Sequence, residues 1–88
     1  MVDSRDVNYV LDYLILGTKN ATSPGSKKSY KFSIAELAED LDYSDDDAAA
    51  ILLHINTSMG LWPEDFAVSG KKLAIPHAAL DTLKAQRK

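Results

Sequence analysis

A chain of 88 residues with 45% hydrophobic and 26% charged side chains has the composition of one soluble globular domain. At this size it is expected to bury only about 60 to 65% of its unfolded surface, which leaves one compact core and no room for a separate catalytic domain. The absence of cysteine excludes a disulfide framework and thiolate metal sites, and fits a reducing, cytoplasmic setting.

The net charge of −3 hides a segregation, because residues 33–65 carry nine acids and no Lys or Arg, −9, whereas the rest sets ten basic residues against Asp3, Asp6, Asp12 and Asp81, +6. An acidic region and a basic one are therefore expected. The first apolar run, residues 7–16, is interrupted by Asn8 and Asp12 and is far short of the roughly 20 residues a membrane span needs, so neither a signal peptide nor an anchor is expected.

Asp3 or Ser4 is placed to cap a first helix in which Val7, Val10, Leu11 and Leu14 recur at helical spacing, and Gly17 is expected to end it. Tyr9, Tyr13 and Leu16 form a second apolar stripe on that helix, a candidate surface for self-association and a homodimer. Residues 17–29, "GTKNATSPGSKKS", mix turn formers with lysines and predict a flexible basic loop.

A short β-prone run, "SYKF", leads to Ser33, which with Glu36 forms a capping box, while Phe32 and Leu37 supply the hydrophobic staple. This second helix buries Ile34, Leu37, Ala38 and Leu41. After the turn "LDYS", Ser44 caps a third helix with Asp47 at the box position; Ala48, Ile51, Leu52, Ile55 and Met59 continue to a stop at Gly60. Phe66 and Val68, then Leu73 and Ile75, alternate about Ser69-Gly70-Lys71-Lys72 and predict a β-hairpin with Trp62 beneath it. Pro76 opens a last helix burying Ala79, Leu80 and Leu83, followed by the basic tail 84–88.

Helix, strand, helix, tight turn, helix, two-stranded hairpin and closing helix, a mainly α fold with a small β-hairpin (α+β), is an order that resembles the winged helix-turn-helix superfamily over residues 7–85 as a single domain. Its most telling stretch is "FSIAELAEDLDYSDDDAAAILLHINTSMGLW". The likeness is one of fold and carries no specific family signature. It implies that the amino-terminal part of the third helix, here Asp45, Asp46, Asp47 and Ala49, would approach base edges in a DNA-reading relative. Three successive carboxylates oppose that role: a unit charge about 4 Å from a phosphate costs on the order of 1 kcal/mol in water and more where water is excluded. The same carboxylates favour the positive end of the helix dipole by roughly 0.3 to 1 kcal/mol each.

The expected role is thus a non-catalytic regulatory or adaptor module that contacts protein partners through Asp42, Asp45, Asp46 and Asp47. The alternative is a DNA-binding transcriptional regulator that holds phosphates with Lys27, Lys28, Lys31 and the hairpin lysines Lys71 and Lys72. His54 and His77 match no zinc spacing, and residues 40–51 lack the glycine and the final glutamate of a calcium loop. Phosphate-cradling and nucleophile-elbow motifs are also absent. No enzyme activity, metal, cofactor, small-molecule substrate or membrane is expected.

Overall fold

Apolar residues repeating every three or four positions draw the first segment into a helix, α1 (Ser4–Ala21), whose N-terminus is capped by Asp3 accepting from the Arg5 backbone N–H at 3.1 Å. The computed structural model describes residues 3–69 and 71–87, so Gly70 of the expected turn and Lys88 of the tail lie outside the described residues. After α1 come β1 (Ser29–Phe32), α2 (Ile34–Leu41), α3 (Asp45–Met59), α4 (Phe66–Ser69) and β2 (Leu73–Pro76); a single 3₁₀ turn (His77–Ala79) then leads into α5 (Leu80–Gln86). The described chain is mainly helical with one two-stranded antiparallel sheet. None of its helices is long and apolar enough to cross a membrane.

Gly17 does not end α1, which continues for four further residues. The ring of Tyr30 lies directly on this glycine: a Cβ there would come within 2.5 Å of the tyrosine Cζ. Gly17 is therefore a close-approach position inside a helix, with its lost helix propensity, about 1 kcal/mol relative to alanine, offset by packing. Thr18 continues the buried stripe of Val10, Leu11 and Leu14. Its own hydroxyl is buried without a partner, while its carbonyl accepts from both the backbone N–H and the hydroxyl of Thr22, at 3.0 and 2.6 Å.

The expected loop 17–29 thus contracts to residues 22–28. It is organised by a turn in which the Ser26 N–H donates to the Ser23 carbonyl at 2.9 Å, with Pro24 and Gly25 (φ +77°) at its centre, the preferences of a type II turn. Ser26 Oγ accepts from the Lys28 N–H at 3.0 Å.

The serine half of each expected capping box forms, while the Glu36 carboxylate faces Lys72 at 3.6 Å. Ser33 Oγ accepts from the Glu36 N–H and Ser44 Oγ from the Asp47 N–H, each at 3.1 Å. Asp42, at φ 60°, closes α2, and Gly60, at φ 63°, closes α3.

The expected hairpin is not formed. Its first arm is the helical turn α4, closed by the Phe66 N–H to the Pro63 carbonyl and the Val68 N–H to the Asp65 carbonyl at 3.1 and 3.0 Å. Residues two apart share a face in a strand, yet Phe66 is 2% exposed and Val68 88%. The second arm, β2, pairs instead with β1, in the register Ser29↔Pro76 to Phe32↔Leu73.

The core joins Val10, Leu11 and Leu14 of α1, Phe32, Leu37, Leu52, Ile75 and Leu83. Trp62 packs edge-on to Phe32 and against Phe66. Its backbone N–H and carbonyl are clamped by the Asn56 side-chain amide at 2.8 and 3.0 Å. Such pairing keeps these buried polar groups from being orphaned. The last helix runs antiparallel to α1: the Thr22 hydroxyl meets His77 Nδ1 at 2.9 Å at one end, and Arg87 forks onto the Asp12 carboxylate at 2.6 and 3.2 Å at the other.

Candidate functional site

α3 contains no Lys or Arg, so its solvent face is set by small and acidic residues. Asp45, Asp46 and Asp47 occupy the first turn, all exposed; Ala50, Leu53, His54 and Thr57 continue the exposed side, and Leu53 is 47% exposed. Asp42 lies exposed in the left-handed turn just before. The four residues expected to form an acidic face are thus brought to the amino-terminal end of one helix.

A groove of about 270 Å³ opens beside them, lined by Ser33, Ile34 and Ala35 at the start of α2, Asp45, Asp46 and Ala49 of α3, Ala67 of α4, and Lys71. Its floor is apolar and its α3 rim is anionic. Val68, the most exposed large hydrophobic residue among the described residues, adjoins Ala67. The groove was hidden from sequence reasoning because one wall is the helical turn α4 in the place of the expected strand.

The lysines expected to bind phosphate are not brought together. Lys71 and Lys72 precede Leu73 at one end of the β1–β2 ladder, whereas Lys27 and Lys28 precede Ser29 at the other, about 10 Å away at strand rise. Lys31 is exposed on β1 between them. Lys72 faces Glu36 at 3.6 Å, and Lys71 lines the acidic groove. The hairpin lysines therefore stand among carboxylates.

The stripe expected for self-association is divided. The Tyr13 hydroxyl donates to Asp40 at 2.6 Å, and Tyr9 packs edge-on to Tyr43, whose hydroxyl donates to Asp6 at 3.0 Å. Burial, then the hydrogen bond to Asp40, holds the Tyr13 phenol far above its ordinary range. Burial and the bond to Asp6 push Tyr43 up to about 12. These two tyrosines fasten α1 to α2 and to the turn before α3. Leu16, 60% exposed, and the free edge of Tyr9, 51% exposed, remain outside.

His54 is exposed; His77 is committed to Thr22, whose single proton goes to the Thr18 carbonyl, so His77 Nδ1 is the donor in that contact. No group of three or more His, Asp or Glu among the described residues is arranged to hold a metal ion. Comparison with known proteins finds no matching family, no matching curated protein and no matching solved structure.

Proposed function

We infer that this chain is a small non-catalytic regulatory or adaptor module that works by protein contact through the acidic end of α3 and the groove beside it. The observation that carries this reading is the exposed side of α3: three carboxylates in its first turn, Ala50, Leu53, His54 and Thr57 beyond them, and no Lys or Arg along its length. Such a surface repels a polyanion and suits a partner bearing both positive charge and aliphatic side chains. The order from α1 to α3 followed by a closing strand and helix supports a reading of the chain as a relative of winged helix-turn-helix domains with its wing reduced to a helical turn. The competing reading, a transcriptional regulator gripping phosphates with the wing, loses support from the same change, because Lys71 and Lys72 have acidic neighbours.

The test is a pair of amide chemical-shift titrations of the labelled protein, one with a lysine-rich peptide and one with mixed-sequence duplex DNA at near-physiological salt. The peptide is expected to move the amides at the start of α2 and α3, and the duplex to leave them in place. Micromolar binding of the duplex with shifts along α3, sensitive to Asp46→Ala, would put this helix in the groove of DNA and end the reading.

A further inference from the structure

The basic loop and the acidic groove are matched in charge. Beyond the buried Thr22 the loop is largely exposed: its Pro24-Gly25 turn is bonded across by Ser26 to Ser23, Ser26 then holds the Lys28 amide, and Lys27 and Lys28 are exposed. The groove is concave, with Ile34, Ala35, Ala49 and Ala67 as its apolar surface and Asp45 and Asp46 on its edge. Lys71 also lines it, and Glu36 is matched by Lys72. Two carboxylates, Asp45 and Asp46, against Lys71 leave the groove net negative.

Loop and groove flank opposite ends of the β1–β2 ladder, the loop entering at Ser29 and Ser33 of the groove following Phe32. A loop fixed by its own turn at one end cannot reach the groove at the other within one molecule. Two copies can bring them together.

We propose that the 22–28 loop of one copy docks in the α2–α3–α4 groove of a second, so that the chain associates head to tail. This rests on the reading of the α3 end as a protein-binding surface and names its occupant. Lys27 and Lys28 of the entering loop approach Asp45 and Asp46, and Pro24 supplies an apolar contact for the alanine floor. Because different patches meet, a single such contact leaves one loop and one groove free at the ends of the pair. Exposed ion pairs are individually weak and screened by salt, so the association is expected only near about 1 mM protein and to weaken about tenfold or more between about 20 mM and 500 mM NaCl.

Sedimentation velocity of the full chain is the measurement. At low salt the mean mass should rise above the 9.6 kDa of one copy and fall back at high salt. Two variants with exposed substitutions, Asp45→Asn with Asp46→Asn and Lys27→Gln with Lys28→Gln, should each stay monomeric. Mixed, they should form a complex of one copy each, since the first keeps the loop and the second keeps the groove; matching circular dichroism verifies that both fold. If each variant still associates alone, or the mixture does not pair, the head-to-tail contact is wrong. If the parent chain stays monomeric at low salt while the lysine-rich peptide still moves the α3 amides, the occupant is a different protein and only the self-docking falls. If the peptide moves nothing either, both readings fall together.

Discussion

Gly17 illustrates how one residue can be read correctly for its type and wrongly for its purpose. Glycine after an apolar stripe is the ordinary signature of a helix end, but the requirement here comes from Tyr30, thirteen positions on, whose ring is stacked at 5.4 Å on Phe32. Nothing near Gly17 in the sequence carries that information. Gly17→Ala should consequently destabilise the fold by about 1 to 2 kcal/mol, the overpacking outweighing the gain in helix propensity. In a Tyr30→Ala background the same change should stabilise by up to about 1 kcal/mol. Urea denaturation of the four proteins forms the cycle, and equal effects of the glycine change in both backgrounds would contradict the packing account.

Helices whose signals are local were legible at the scale of the element. Ser33 and Ser44 each satisfy a backbone N–H three residues on, and Gly60 takes the left-handed conformation its position demands. Ser44→Ala should cost about 1 kcal/mol, seen as a lower urea midpoint with an unchanged slope, because no intrahelical group can replace the lost acceptor. The expected hairpin gives way to α4 because alternation over three residues is shared by a strand and a single helical turn, and only tertiary packing distinguishes them. Trp62, held by Asn56 and stacked against Phe66, draws Phe66 into the core and turns Val68 outward. β2 was recognised as a strand, but its partner β1 lies more than 40 residues earlier, a separation at which a pattern of neighbours says nothing about pairing. The acidic residues of the candidate site were legible from their place in the first turn of α3; the groove next to them depends on α4 and was not.

For the molecule as a whole, the tyrosine contacts between α1 and the α2–α3 turn tie stability to alkaline pH. Tyr43 is raised from 10.0 to about 12, so between these values the unfolded chain has lost the proton that the folded chain keeps. Stability is then fully present below pH 10 and falls as the pH rises through about 12, since the slope follows the protons bound by the unfolded state less those bound by the native state. Tyrosinate absorbance at 295 nm should show a late step near pH 12 that disappears in Tyr43→Phe; a Tyr43 step near pH 10 in the folded protein would refute the coupling. The charge segregation visible in the sequence also survives folding in part, with the α3 end acidic and the 22–28 loop basic, although Lys71 and Lys72 fall on the acidic side. One further property follows from Trp62, whose indole N–H donates to the Ala74 carbonyl at 3.1 Å. With that acceptor engaged and Pro76 lacking an N–H, a foreign β-strand would find poor purchase along β2, so this edge of the small sheet is guarded against the edge-to-edge growth that seeds fibrils.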